Sequence, residues 1–240
     1  MYQTHKTYIK PDMRMSDLIH ENPTLLLMME HLGIDFIVQE KTVAQICSDN
    51  KVGQEVFLVL GNLYNGFNPT GKENYSVSDA ITLIQFLKNS HTYYKQEKYP
   101  EINNFIMQLY KKNNSDEIKM IETFFKDYFK EVTEHLDYEE EIAFPYFCNL
   151  VQQDHENSIT SQKRYSAKEY REHHTDIETK LADLRNLLLK HISVKNDRII
   201  RRKLLFGLFE LELDLEIHSI IEEIVLIPLI EKIETNKKNG

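Results

Sequence analysis

His135-Leu-Asp-Tyr-Glu139-Glu-Glu-Ile-Ala-Phe-Pro145 and His218-Ser-Ile-Ile-Glu222-Glu-Ile-Val-Leu-Ile-Pro228 share one layout: a histidine, a glutamate four residues later, and a proline six residues beyond that. A helix turns every 3.6 residues, so an i, i+4 pair stacks on one face, and two such pairs can meet across the interior of a bundle. Both pairs sit within apolar heptads. One seam runs Ile121, Phe125, Tyr128, Val132, His135, Glu139, Ile142, Tyr146, and another runs Leu204, Leu208, Leu211, Leu215, His218, Glu222, Val225, Leu229. A third seam, Ala167, Tyr170, His174, Ile177, Leu181, Leu184, Leu188, carries one histidine, and Ala80, Ile84, Leu87, His91, Tyr94 carry another. Heptad positions are normally apolar, and burying ionisable groups there is costly unless they are paired or bound to metal. The spacing therefore nominates His91, His135, Glu139, His174, His218 and Glu222 as metal ligands.

The rest of the chain reads as all-α. Seven glycines and six prolines in 240 residues, with long stretches of helical period, leave little room for a sheet. The turn-rich Asn65 to Ser76 stretch marks a linker, so the expected organisation is a small helical domain over 1–65, a linker over 66–77, and an antiparallel four-helix bundle over 78–235. In the small domain, Asn22-Pro23 is expected to open a helix with Pro at its first position, Gly33 to close it, and Thr42 to cap the next. The first long helix is expected from Asp79 to Lys112 with a kink at Pro100, and the second from Ser115 to about Val151. The third ends near His191, and the fourth begins at Asn196 or Asp197.

A net charge of −9 and the lack of an extended basic block argue against a nucleic-acid binder. No apolar run reaches the roughly 18 residues a membrane span needs, and the N-terminus lacks the apolar core of a secretion signal. Cys47 and Cys148 are too few for a disulfide framework, which points to the cytoplasm, and both read as buried small hydrophobes. His20 and His31 read as surface or capping residues, His191 as a helix-end cation, and Glu140 and Glu141 as solvated. Tyr94, Tyr128 and Tyr170 read as core packing, with hydroxyls able to bond a group near a metal. A nitrogen and carboxylate donor set without thiolate suits iron, manganese or zinc, and paired carboxylates in a bundle favour two ions, with iron preferred. Oxygen, nitric oxide and peroxide are the small molecules such a centre would meet.

The two quoted segments resemble the paired H-x-x-x-E-E-x-x-x-F-P and H-x-x-x-E-x-x-V-L-F-P signatures of hemerythrin-like (HHE) domains. Arg171-Glu-His-His-Thr-Asp-Ile-Glu-Thr-Lys-Leu-Ala-Asp-Leu-Arg185 resembles that family's third-helix ligand segment, where distance to Leu184-Arg185 selects His174 over His173. Upstream, Met15-Ser-Asp-Leu-Ile, Leu32-Gly33-Ile34-Asp35-Phe36 and Thr42-Val-Ala-Gln-Ile-Cys47 resemble the N-terminal module of the repair-of-iron-centres di-iron proteins. The resemblance implies a non-haem di-iron protein of the nitrosative or oxidative stress response, with damaged iron-sulfur proteins as partners. The alternative it leaves open is an oxygen or nitric oxide sensing, or iron-storing, module that acts through a protein partner. Monomer and dimer are both compatible with it. Two departures stand out. Ile37 and Val38 occupy the place of the family's adjacent cysteines, and Lys112 occupies the place of a second histidine three heptads after His91. A protonated lysine is no ligand, so that corner is expected to stay with six protein ligands, to be filled by water, Asp116 or Glu117, or to hold a second ion weakly.

Overall fold

The computed structural model describes residues 7–70, 75–152, 166–173, 178–192 and 196–239. Among them all regular structure is helical, apart from one isolated antiparallel bridge between Arg14 and Thr42. Four short helices come first: α1 (Met15–Glu21), α2 (Leu25–His31), α3 (Val43–Asn50) and α4 (Gln54–Tyr64). After them come α5 (Val77–Tyr93), α6 (Tyr99–Asn113), α7 (Asp116–Tyr138), α8 (Phe144–Gln152), α9 (Ala167–His173), α10 (Glu178–Lys190), α11 (Arg198–Ile220) and α12 (Ile227–Asn239). Among the described residues, no helix is long and apolar enough to cross a membrane.

Internal packing divides the chain into two units, one made of residues 1–90, 144–171 and 219–240, the other of 91–143 and 172–218. In the first unit the short helices surround Met15, Leu25, Met28, Met29, Val56, Phe57 and Leu60, all fully buried. Their ends are set by local chemistry. Thr42 and Gln45 form a reciprocal capping box on α3, and Gly33 closes α2 at φ +69°, with Ile34 N–H donating to Met29 O at 2.9 Å. Pro23 lies two residues ahead of α2 and not at its first position, because Asn22 Oδ1 captures the Thr24 N–H and hydroxyl at 3.2 and 2.6 Å. Buried amides are satisfied in the same way: Asn62 exchanges hydrogen bonds with the backbone of Ile9, and Asn22 donates to Tyr64 O and Asn65 Oδ1. His31 is buried with its ring edge-on to Phe86 at 5.3 Å, while its carbonyl accepts from Asn89 at 2.8 Å. The expected surface or capping role for His31 is thereby corrected: an imidazole with an aromatic face beside it gains more from packing than from hydration. Also in this unit, Glu234 accepts from Tyr146 Oη and Ala167 N–H, both at 3.0 Å.

In the second unit α6 lies against α7, with Tyr99 stacked between Phe125 and Phe129. Ser115 caps α7, and Asp197 caps α11 by accepting from Ile200 N–H at 2.9 Å. Arg185 joins α10 to α11 through Glu212 at 2.7 Å and the ring of Phe209.

Three short π-helical segments interrupt these helices: Tyr94–Lys98, Glu139–Ala143 and Ile221–Leu226. Each ends two residues before a proline, at Pro100, Pro145 and Pro228. Proline has no N–H and collides with the carbonyl four residues back, and a wider turn with i to i−5 bonds accommodates it. Tyr99 N–H donates to Tyr94 O, and Ile227 N–H to Glu222 O, each spanning five residues. The expected kink at Pro100 is therefore a π-turn. A π-turn inserts one residue into the seam, and the burial pattern moves accordingly. The heptad count assigns Ile142 and Tyr146 to the core, yet Ile142 is 46% exposed and Ala143 and Phe147 are fully buried. Lys112 is displaced in the same way beyond Tyr94–Lys98. It stands on the surface paired with Asp197, while Ile102, Ile106 and Leu109 hold the interior. The sixth-histidine corner assigned to Lys112 thus does not exist at that residue, and Asp116 and Glu117 are exposed as well.

Candidate metal centre

Each π-turn lies within one helical turn of a nominated ligand. His91 sits near the end of α5, three residues before Tyr94; Glu139 opens the second π-turn; Glu222 is the second residue of the third. Wider turns of this kind recur where a helix must aim a side chain out of its regular register.

The second unit assembles His91, His135, Glu139 and His218. His91 Nε2 lies 3.3 Å from Glu139 Oε2 and 3.3 Å from His218 Nε2. His135 Nε2 lies 3.1 Å from the other oxygen, Glu139 Oε1. The helix carrying His218 continues without a break into the third π-turn, where Glu222 follows one turn later, fully buried. One donor atom from each of His91, Glu139, His218 and Glu222 falls within 4.8 Å of all the others. This buried group could hold a metal ion. Metal–nitrogen and metal–oxygen bonds of about 2.0–2.2 Å place neighbouring donors about 2.8–3.6 Å apart around a tetrahedral or octahedral centre. The separations from His91 Nε2 to Glu139 Oε2 and to His218 Nε2, 3.3 Å each, fall inside that window. The chemistry agrees: burying two carboxylates unbalanced costs several kcal/mol, and a cation held between them and the imidazoles would offset that cost.

His135 is only slightly exposed and meets Glu139 on the side opposite His91, so Glu139 presents one oxygen to each histidine. His174 lies outside the described residues. The structure thus brings five of the six nominated residues into one neighbourhood and leaves the sixth undescribed.

Two residues absent from the sequence-derived set belong to the surroundings. Glu140, expected in solvent, keeps a side chain 37% exposed and in addition accepts from His91 Nδ1 at 2.9 Å, and Lys95 Nζ donates to the same oxygen at 3.1 Å. The bond from His91 first, and that from Lys95 after it, hold the Glu140 carboxyl down at about 2 against the opposing effect of burial. The π-turn explains the added bond, since more residues per turn bring adjacent side chains closer to one face than an α-helix does. Asp214 is the other addition. It is buried one turn before His218 and accepts from Tyr94 Oη at 2.7 Å, and the Tyr94 ring meets the His218 ring at 5.8 Å. Its i, i+4 spacing to His218 is visible in the sequence, but the apolar seam runs through Leu211 and Leu215 on either side of it. The Tyr94 hydroxyl is therefore committed to Asp214. Next to it, Tyr93 donates to Glu210 at 2.6 Å, and burial, then that carboxylate, push its phenol far above the ordinary value.

Cys47 is buried, which raises its thiol to about 11 and leaves it unreactive, whereas Cys148 is half-buried; both are free. In comparisons with known proteins, no family model and no curated protein matches this chain.

Proposed function

We propose that this chain is a hemerythrin-like non-haem iron protein in which α5 to α12 form an antiparallel four-helix bundle around a two-iron centre, acting in the response to nitrosative or oxidative stress and in iron-sulfur repair. The observation that carries the reading is the buried group of His91, Glu139, His218 and Glu222, with His135 on the second oxygen of Glu139. His91, His218, Glu222 and Glu139 Oε2 would hold one ion, and His135 with Glu139 Oε1 the second, with His174 the ligand nominated by resemblance to complete it. Iron bound there would supply one-electron chemistry and an affinity for oxygen, nitric oxide or peroxide. The chain's own contribution is to pack the buried Tyr94 ring against His218 and to fix the His91 imidazole by its hydrogen bond to Glu140.

A second reading keeps the centre but replaces repair by sensing or storage through a protein partner. Ile37 favours it. The residue standing where relatives of the resembling group carry the first of two cysteines is 73% exposed and has no thiol to offer. Purification after anaerobic, iron-replete expression tests the shared core of both readings, with about two irons per chain expected for a bundle centre of this type. Loss of activity recovery in a nitric oxide-damaged iron-sulfur enzyme, with iron retained, selects the second reading. A chain that emerges metal-free and takes up no added ferrous iron refutes both.

A further inference from the structure

The pair formed by His91 and Glu140 decides what the centre can accept. His91 is fully buried, and its two ring nitrogens face different carboxylates: Nδ1 meets Glu140 Oε1 at 2.9 Å, and Nε2 meets Glu139 Oε2 at 3.3 Å. A neutral imidazole carries one N–H, so the two carboxylates compete for a single proton. If the proton sits on Nε2, it points at His218 Nε2 and Glu139 Oε2, each 3.3 Å away, and occupies the side of the ring that faces the centre. If it sits on Nδ1, the Nε2 lone pair points toward Glu139 and His218, where it can bind a cation but cannot donate. The distances favour Nδ1, since 2.9 Å is a full hydrogen bond and 3.3 Å a long one.

Glu140 is itself held. Lys95, on the π-turn after α5, donates to its Oε1 at 3.1 Å and to Asp137 at 2.6 Å. The series runs from a fully buried imidazole out to Glu140 and Asp137, whose side chains are 37% and 51% exposed. Two π-turns create this arrangement, one carrying Lys95 and the other placing consecutive glutamates on opposite nitrogens of one ring.

We propose that Glu140, clamped by Lys95 and Asp137, is a positioning residue that keeps the His91 proton on Nδ1 and so keeps Nε2 ready for a metal ion. The inference rests on the metal-centre reading for its purpose but not for its first test. In metal-free full-length protein with nitrogen-15 histidine, long-range proton–nitrogen correlation spectra report the tautomer of His91 directly. The wild type is expected in the Nδ1–H form, Glu140→Leu in the Nε2–H form, and Glu140→Asp back in the Nδ1–H form. Titration with manganous ion then reads the consequence: Glu140→Leu should bind about 10–100-fold more weakly, the usual scale for losing the partner of a ligating histidine, with Glu140→Asp close to wild type. A Glu140→Leu protein that keeps Nδ1–H, or that binds manganese as the wild type does, overturns the inference. Should Glu140→Leu not fold, Lys95→Met supplies the same readouts: a shift toward Nε2–H with weaker manganese binding is expected, and a tautomer and affinity identical to wild type overturn the clamp. A wild type that binds no metal defeats the metal-centre reading instead, and the tautomer comparison still decides the role of Glu140.

Discussion

Glu139→Gln separates a metal ligand from a structural carboxylate, because the two roles give opposite signs in the metal-free protein. Glu139 is fully buried, with one oxygen 3.3 Å from His91 and the other 3.1 Å from His135. Glutamine matches its volume, removes the negative charge and replaces one ligating oxygen with an amide nitrogen that cannot ligate. If Glu139 is retained for a cation, the metal-free wild type carries an unfavourable buried charge, and Glu139→Gln should be at least as stable as wild type without metal. Loaded, the order reverses. Breaking a buried charge pair costs on the order of 3–5 kcal/mol, and at about 1.4 kcal/mol per decade the variant should bind metal about 140- to 3,700-fold more weakly. At a free metal concentration of about 100 times the wild-type dissociation constant, wild type gains about 2.7 kcal/mol of stability, and the variant no more than about 0.3 kcal/mol. For a chain of this size about 2–4 °C accompany each kcal/mol, so metal should raise the wild-type melting temperature by about 5–11 °C and that of the variant by about 1 °C. Melts followed by circular dichroism under anaerobic conditions, with and without ferrous or manganous ion, make the comparison. Metal-free Glu139→Gln melting well below wild type, with no metal shift in either protein, would refute the reasoning and make Glu139 a hydrogen-bonding core residue.

The displaced register makes its own demand: Phe147→Ala should cost about 3–5 kcal/mol in denaturant melts and Ile142→Ala no more than about 0.5 kcal/mol, whereas an uninterrupted heptad reverses the order. Lys112→His should leave iron per chain unchanged by elemental analysis, because the residue is on the surface beside Asp197, and a rise in bound iron would contradict that placement. A Cβ added at Gly53 would come within 2.3 Å of Asp79 Oδ1, whose carboxylate holds Ser76 N–H at 2.7 Å through its other oxygen. Gly53→Ala should therefore destabilise by about 1–3 kcal/mol in chemical denaturation, and a neutral effect would mean that Asp79 moves freely. Lys119 and then Lys126 hold the Glu122 carboxyl below its ordinary value. Its folded pKa lies below its unfolded one, so the stability it adds is present above about pH 4.5 and is lost as pH falls through the lowered value. Metal-free wild type and Glu122→Gln should accordingly differ at neutral pH and converge in acid, and parallel stability curves would refute the pairing.

Most helices and the residues nominated for the centre could be read from spacing, because a 3.6-residue period survives in the sequence wherever one face is buried. Ile121, Phe125, Tyr128 and Val132 were placed by counting and are all buried, as are Leu204, Leu208, Leu211 and Leu215. Counting fails where the backbone itself changes period. It assigns Ile142 to the core and Lys112 to a ligand corner and misses the bond from His91 to the part-exposed Glu140, and each of these residues lies within or beyond a π-turn. The prolines carried the missing signal. Pro100, Pro145 and Pro228 each stand two residues after a π-turn, and read as demands for a wider turn upstream they would have advanced the seam by one residue. His31 was misplaced for a different reason: its partner Phe86 is 55 residues away in sequence (86 − 31), and no local period records a contact of that range. The same π-turn that spoils the heptad count lets Glu139 and Glu140 reach both nitrogens of His91, which an unbroken α-helix would keep on different faces. The irregular turns are therefore part of how the centre is built, and straightening one by Pro145→Ala should move Glu140 off His91 Nδ1 before it disturbs the core.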